Sequence, residues 1–311
     1  PVGDPPDYIR GLFSIHHRQP SDSAGDGLML LLRLIRNEIT KIIGKKRSLI
    51  GFAAIGVLMP VIMFAFSYHQ SGFSSDFSRR SANIGGGLIM VGTPVNGYFI
   101  THLIMNFLWV HIPFLITLVA GDVIAGEGGA GTFRIYLTRP VSRLRIVISK
   151  LCASLLYTAT VILFFAGLSL GMGILWHGTG DLVVMHKGIL ILSSHMVPWR
   201  FILSFTFAIL VMWVVTALTF MFSSMVNNGI GPMIGAMAVI IVSFALTTIP
   251  LDIFEAIRPY LFTTYFDVWQ KAFHDPIPWF NISKSLGILA VYTSGFIIIS
   301  FWIFVRKDIL T

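Results

Sequence analysis

The chain has 311 residues, of which 55% are hydrophobic and 12% are charged, and its mean hydropathy is +0.81. Soluble domains carry about 25% charged residues, so a soluble protein of this size would lack the charge to cover its surface. The composition therefore predicts a membrane protein, in which the net charge of +8 indicates orientation in the bilayer rather than binding of nucleic acid. The single cysteine, Cys152, excludes an intrachain disulfide and a zinc site built from cysteines.

The first 47 residues divide into two parts. Residues 1–27 are rich in Pro, Asp, Ser and Gly and show no sustained apolar period, which predicts a disordered tail or a vector-derived remnant. In residues 28–47, apolar side chains recur at helical spacing with basic ones between them, which predicts an amphipathic helix in the headgroup layer. The alternative is that 28–47 extends the first membrane span, and the Lys45-Lys46-Arg47 cluster disfavours it.

Six apolar segments are long enough to cross a hydrocarbon core of ~30 Å, which takes about 20 helical residues. Only the Val226-Asn227-Asn228 region separates the fourth segment from the fifth, which predicts a tight helical hairpin. The predicted fold class is an all-α integral membrane protein. The six spans lie near residues 49–68, 99–120, 151–176, 201–225, 229–249 and 286–305.

The distribution of Lys and Arg predicts the orientation. Six basic residues in 28–48, five in 121–150 and two at the C-terminal end would share one side, against seven on the other side. By the positive-inside rule the first side is cytoplasmic. We therefore expect a multi-pass protein of the cell (inner) membrane with both termini in the cytoplasm.

The six predicted spans contain no Asp, Glu, Lys or Arg, although ion-driven transporters usually carry such residues to bind the coupling ion. His102 and His111 in the second span are nine residues apart, which puts them on opposite helix faces. We expect His102, together with Asn106 one turn further on, to make interhelical hydrogen bonds, and His111 to lie beside a kink at Pro113. These roles are favoured over a proton relay. The chain is therefore predicted not to drive transport by itself.

Motifs for nucleotide binding are absent or out of context. Gly44-Lys45 lacks the upstream glycine of a phosphate-binding loop. Residues 126–131 satisfy the G-x-G-x-x-G pattern, but they follow a membrane span instead of a β-strand. We therefore expect a chain that is not an enzyme and binds no cofactor, so that any ATP and Mg²⁺ would belong to a partner subunit.

The loop between the second and third spans, residues 121–150, carries the most specific pattern. Its glycines end the second span, and the hydroxyl of Thr132 can cap a short helix. Phe133 and Leu137, four residues apart, give that helix an apolar stripe, and Pro140 ends it. The basic residues that follow are expected to hold the next span at the headgroups: Arg143, Arg145 and Lys150.

This loop resembles the corresponding loop in the membrane subunits of ABC exporters of the type-2 permease family. Those proteins show an acidic residue, a Gly-Thr pair, a short aliphatic helix and a Pro-x-x-Arg stretch between their second and third spans. The resemblance covers residues 28–311 and includes the amphipathic helix, the six spans and the tight hairpin. Gly128-Gly129-Ala130 departs from the family, in which charged residues are common at this place. The matching positions are Asp122, Glu127, Gly131, Thr132, Arg134, Leu137, Pro140, Ser142 and Arg143.

The resemblance implies that the loop is a coupling helix, which docks on a separate ATP-binding subunit. It also implies two permease chains, identical or similar, that work over two ABC ATPase subunits and share a path in the lipid bilayer. The alternative reading of the loop from its residues alone is an ordinary basic anchor with a turn.

The segment between the fifth and sixth spans is too apolar and aromatic for a free loop. Tyr260, Tyr265, Trp269 and Trp279 suit the interfacial aromatic belt. The resemblance implies short re-entrant helices here, which cap the outer end of the pathway. A plain interfacial anchor is the alternative.

Two further patterns concern packing and metal binding. The G-x-x-x-G motifs at 167–171 and 231–235 let helices approach closely, and we expect them to pack helices within the chain. The outer segment 177–198 contains potential soft-metal ligands, although incidental placement is favoured over copper handling. These ligands are His177, Met185, His186, His195 and Met196.

Three functions remain to be compared. The leading one is an ATP-driven exporter permease, whose apolar spans favour a hydrophobic cargo. The second is an ABC-type membrane component that transmits ATP-driven motion to machinery outside the cell without carrying cargo. An integral membrane enzyme is disfavoured, because it requires a cluster of acidic, His or Ser side chains that the spans do not show.

Overall fold

The computed structural model describes residues 24–84, 95–129, 142–185 and 188–307, and these residues are mostly helical. Six helical segments are long and apolar enough to cross a membrane, so the chain is an all-α, multi-pass membrane protein. The helices are α1 (Ala24–Gly44), α2 (Lys46–Ile84), α3 (Gly97–Leu108), α4 (Ile112–Ala120), α5 (Asp122–Gly129), α6 (Arg143–His177), α7 (Val197–Met225), α8 (Gly231–Thr248), α9 (Asp252–Glu255) and α10 (Trp279–Arg306).

The amphipathic segment forms a helix of its own. Helix α1 ends at Gly44, Lys45 lies in a bend, and α2 begins at Lys46, so the continuous extension of the first span is wrong. The hydroxyl of Ser48 donates a hydrogen bond to the carbonyl oxygen of Ile42 across this bend. Helix α1 begins at Ala24, so residues 24–27 are helical and are not part of a disordered tail.

The second span is interrupted near its middle. Asn96 caps the N-terminus of α3, because its side-chain oxygen accepts hydrogen bonds from the backbone N–H groups of Tyr98 and Phe99. A turn at residues 109–111 follows, and α4 begins next to Pro113, whose ring cannot donate a backbone hydrogen bond. The expected kink beside His111 is thus confirmed, and the ring nitrogen Nδ1 of His111 lies 3.1 Å from the carbonyl oxygen of Phe107.

Helices α3 and α6 approach closely at two glycines, Gly97 and Gly173, that the G-x-x-x-G patterns did not indicate. A Cβ atom at Gly97 would lie 2.3 Å from the carbonyl oxygen of Gly173, so only glycine allows this approach of α3 and α6. By contrast, Cβ atoms at Gly167 and Gly171 would meet nothing within 4 Å, so the predicted packing of this motif within the chain is wrong. Gly235 does pack, since a Cβ atom there would lie 3.5 Å from Phe222 across the α7–α8 hairpin.

The α6–α7 connection holds the only sheet in the described part of the chain. Strands β1 (Leu182–Met185) and β2 (Ile189–Leu192) pair antiparallel, with Leu182 opposite Leu192. The amide of Asn96 donates to the carbonyl oxygen of Asp181 at 2.7 Å, which ties this hairpin to the start of α3. The all-α bundle therefore carries one small β-hairpin, at the end of α6 opposite to Arg143.

Short helices connect the fifth span to the sixth, as the sequence predicts. Helix α9 is followed by a 3₁₀ turn at Arg258–Tyr260 and by a long 3₁₀ helix at Phe262–Phe273. Trp269 is fully buried instead of lying in an interfacial belt, and its ring centroid is 5.2 Å from that of Trp109. It belongs to what we call the aromatic cluster, which contains Tyr98, His102, Trp109, Phe201, Trp269 and Phe273.

Candidate functional site

The candidate site lies where the predicted coupling loop leaves the second span, and it begins with Asp122. This residue starts α5, where a carboxylate interacts favourably with the helix dipole. Its two oxygen atoms accept hydrogen bonds from Lys45 Nζ at 2.7 Å and from Arg47 Nη1 at 3.0 Å. The first residue of α5 is therefore bound to the junction of α1 and α2.

Later in α5, Glu127 contacts Lys41 and Lys150, and both of these lysines also contact Glu38. Lys150 Nζ lies 2.6 Å from Glu127 Oε2 and 2.9 Å from Glu38 Oε2. Lys41 Nζ lies 2.7 Å from Glu38 Oε1 and 3.1 Å from Glu127 Oε1. We call these four residues the inner quartet. Together with Lys45, Arg47 and Asp122, the inner quartet forms the ion-pair cluster.

The inner quartet is electrically balanced, because it contains two carboxylates and two ammonium groups. The side chain of Lys150 has 0% exposure, and that of Glu38 has 6%. Burial alone would raise the pKa of Glu38, but the charges and hydrogen bonds of Lys150 and Lys41 hold it below its ordinary value. Burial likewise opposes the charge on Lys41, and the carboxylates of Glu38 and Glu127 raise its pKa overall. Glu38 and Lys41 are therefore both charged at neutral pH.

Further polar contacts fix α5 against the α7–α8 hairpin. The hydroxyl of Ser223 donates to the carbonyl oxygen of Gly121 at 2.7 Å and accepts from the backbone N–H of Ala125 at 2.9 Å. A Cβ atom at Gly229 would lie 2.4 Å from Asp122 Oδ1, so any side chain at this position would displace the carboxylate. Helix α5 is thus held by α1, α6 and the tip of the α7–α8 hairpin.

The other end of the predicted coupling loop is anchored to the last span. Arg143 Nη1 donates to the carbonyl oxygens of Val305 and Lys307, at 3.3 and 3.2 Å. These oxygens lie at the C-terminal end of α10, where backbone carbonyls lack partners inside the helix. Lys307 Nζ in turn donates to the carbonyl oxygens of Ser224 and Val226, each at 3.2 Å. A second chain of contacts therefore links Arg143, α10 and the α7–α8 hairpin.

The structure brings together part of the predicted docking set and adds members to it. Asp122 and Glu127 meet in the ion-pair cluster, and Arg143 lies on the other side of the loop. Lys150, predicted at the headgroups, instead lies fully buried beside two carboxylates. Ser142 caps α6 by accepting a hydrogen bond from the backbone N–H of Arg145. The remaining predicted residues lie outside the described residues: Gly131, Thr132, Arg134, Leu137 and Pro140.

Sequence analysis missed Glu38. It stands among four basic residues of the segment 33–45, and its side chain is on the face of α1 that packs on α6. A carboxylate on the otherwise apolar face of an amphipathic helix was the signal for a buried ion pair, because such a charge needs a partner.

Two other predicted features have different outcomes. Asn106 makes the expected interhelical hydrogen bond, accepting from the side-chain amide of Gln270 at 2.8 Å, while the His102 ring packs edge-on to Phe273.

No group of three His, Cys, Asp or Glu residues suited to a metal occurs in the described residues, and His186 lies outside them. The described part of the outer segment therefore adds nothing in favour of copper handling.

Comparisons with known proteins give one family and one curated relative. A family model described as a protein of unknown function (DUF2705) matches residues 55–310. The uncharacterized protein YhcI of Bacillus subtilis (strain 168) is 25% identical over 199 residues, which are 62% of this chain and 63% of that protein. The match thus covers less than two thirds of the relative's length. Helix α1 lies before the first residue that the family model matches.

Proposed function

We propose that this chain, which belongs to the DUF2705 family, is the transmembrane permease subunit of an ABC exporter. ATP and Mg²⁺ would be bound by a separate nucleotide-binding subunit, and two such subunits would serve two permease chains. The resemblance of the loop at 121–143 to type-2 ABC permeases and the six membrane-spanning helices support this proposal.

The observation that carries the proposal is the anchoring of the loop at both of its described ends. On one side, Asp122 and Glu127 are bound by basic side chains of α1, of the α1–α2 junction and of α6. On the other side, Arg143 is bound to the end of α10. A displacement of the loop by a docked subunit would therefore be passed to the first, third and sixth spans through short polar contacts.

The proposal also assigns a side of the membrane to this end of the bundle. The ion-pair cluster, Arg143 and Lys307 all lie at one end, and the positive-inside rule favours the cytoplasm for it. We therefore propose a protein of the cell (inner) membrane with α1 and the end of α10 in the cytoplasm. A motor subunit in the cytoplasm could then reach residues 130–141.

Co-purification with an ABC ATPase encoded beside this chain tests the proposal. We expect the full chain to retain the ATPase in detergent and to stimulate its ATP hydrolysis. The double variant Arg134→Glu with Leu137→Asp should abolish both, because it places negative charge on the predicted docking stripe. Lys284→Glu, an exposed position at the opposite end of the bundle, is the matched control and should leave both intact.

If the Arg134→Glu, Leu137→Asp variant keeps both association and stimulated hydrolysis, the docking assignment is wrong. Efflux from vesicles that contain the reconstituted complex then distinguishes export from transmission of motion without cargo. A hydrophobic dye that leaves the vesicles only with ATP supports the exporter, whereas stimulated hydrolysis without any efflux favours the second function.

A further inference from the structure

The basic residues of α1 and the α1–α2 junction fall into two groups. Lys41, Lys45 and Arg47 are partly exposed and are paired with carboxylates of the ion-pair cluster. Arg33 and Arg36 on α1, like Lys46 at the junction, are exposed and have no ion-pair partner among the described residues. The structure thus uses the first group for internal contacts and leaves the second group available for an external ligand.

The apolar residues of α1 show a matching division. Ile42, next to Glu38 on the packed side, is buried, whereas Leu28, Leu32 and Ile43 are 59%, 56% and 61% exposed. At 3.6 residues per turn, these three exposed side chains fall within an arc of about 60°. Arg36 lies about 20° beyond that arc, and Arg33 lies about 80° beyond it. The outer surface of α1 is therefore an apolar strip bordered by two arginines.

We propose that this outer surface binds anionic phospholipids, with Arg33 and Arg36 donating hydrogen bonds to the headgroup phosphate. A guanidinium group presents a planar set of N–H donors that matches phosphate oxygens, and a net negative headgroup adds charge attraction. The apolar strip beside the arginines inserts between acyl chains, as in other amphipathic helices that lie in the interface. A free phosphate ion could bind the arginines but could not cover the apolar strip. The apolar strip and the arginines together therefore favour a lipid.

Charge complementarity selects anionic over zwitterionic lipids. Each basic residue near a membrane surface strengthens attraction to anionic lipids, and no described carboxylate neutralises Arg33 or Arg36. The packed face of the same helix carries Glu38 and Lys41, so a bound lipid would bias the position of the inner quartet. Lipid binding itself does not depend on the proposed ATPase partner.

Spin-labelled lipids test the proposal with the full chain in nanodiscs of phosphatidylcholine that contain a minority of phosphatidylglycerol. We expect the immobilised fraction at the protein surface to favour phosphatidylglycerol over phosphatidylcholine by about fivefold or more. Arg33→Gln with Arg36→Gln should bring that preference close to one. Arg33→Lys with Arg36→Lys should keep most of it, because the charges remain.

Two controls make the result decisive. Lys284→Gln removes an exposed charge at the other end of the bundle and should leave the preference unchanged. Because Arg33 and Arg36 are exposed, thermal unfolding of the Gln variant should match the unsubstituted chain, which excludes misfolding as the cause. The proposal is overturned if the unsubstituted chain shows no preference, or if the Arg33→Gln, Arg36→Gln variant keeps it.

Discussion

The two ends of the helical bundle are held together by opposite kinds of interaction. At the α1 end, the ion-pair cluster joins α1, α2, α5 and α6 through seven charged side chains at distances of 2.6 to 3.1 Å. At the β-hairpin end, the aromatic cluster joins α3, α7 and the long 3₁₀ helix through ring contacts with centroids 4.8 to 6.2 Å apart. The first end depends on ion pairs between specific partners, and the second depends mainly on packed aromatic volume, to which the buried Arg200 adds one ion pair with Asp275.

This difference has a functional consequence. A buried charge must keep its partner, so an ion-pair cluster has a few discrete arrangements and responds to small displacements. A close-packed aromatic cluster resists displacement, because its many small contacts are lost together. Under the proposed function, the end next to the motor is the responsive one and the opposite end is the rigid one.

Removal of Lys150 should produce the largest effect. Lys150→Met takes from Glu38 and Glu127 the fully buried cation that they share, and loss of one partner of a buried pair costs about 3–5 kcal/mol. Denaturant unfolding in detergent, followed by tryptophan fluorescence, measures this loss. Lys46→Met, at an exposed lysine with no ion pair in the described residues, is the matched control and should change the free energy of unfolding little.

The double variant Glu127→Gln, Lys150→Met should recover most of the lost stability, because Glu38 and Lys41 remain as a balanced ion pair. If the double variant is instead less stable than Lys150→Met alone, the cluster is not an electrostatic unit and the contrast between the two ends fails.

Acidification should have the next largest effect, and mainly at the ion-pair cluster, because the carboxylate of Asp275 at the other end is 54% exposed. The pKa of Glu38 in the folded chain lies below its ordinary value of 4.5, so its contribution is complete above that value and is lost as the pH falls through the folded pKa. The pKa of Lys41 is raised above 10.5, so its contribution is lost only as the pH rises through that higher value. Stability from this pair therefore declines on the acid side.

Unfolding free energies measured from about pH 7 to about pH 2 test this expectation, because the contribution of Glu38 is lost below its ordinary pKa. Glu38→Gln should flatten the acid side of the profile, whereas Asp267→Asn, at a half-exposed carboxylate near the aromatic cluster, should leave its shape unchanged. If the Glu38→Gln variant loses as much unfolding free energy on acidification as the unsubstituted chain does, other carboxylates cause the loss of stability at low pH.

The two ends also differ in how far the sequence predicts them. The six spans follow from apolar segments alone, and Asp122 and Glu127 were selected from a loop pattern. Their partners Glu38 and Lys150 were not identified from the sequence. These two residues are 112 positions apart, and their pairing depends on tertiary packing that no local pattern shows. Trp269 was assigned to an interfacial belt because tryptophan is common there, yet the 3₁₀ helix at Phe262–Phe273 turns its side chain into the protein interior.

A smaller effect is expected at Trp269. Its Nε1 is buried and has no hydrogen-bond partner among the described residues. Trp269→Phe removes this unsatisfied donor, which offsets the lost packing, so the cost should stay below about 1.5 kcal/mol. Trp269→Ala leaves a large cavity and should cost about 3–5 kcal/mol at every pH. Denaturant unfolding measures both costs. If Trp269→Phe lowers the free energy of unfolding as much as Trp269→Ala does, the indole N–H does have a hydrogen-bond partner.

The smallest expected effect lies between the two ends, at the hydroxyls of Thr158 and Thr216, which are 2.7 Å apart and buried. Each hydroxyl also contacts a carbonyl of its own helix, so it keeps a partner when the other is removed. A double-mutant cycle of Thr158→Val and Thr216→Val should therefore give a coupling of about 0.6 kcal/mol, measured by denaturant unfolding. A coupling above about 2 kcal/mol would exceed the values known for such bonds in membranes. Such a value would mean that each hydroxyl depends on the other, and that the carbonyl of its own helix is not a sufficient partner.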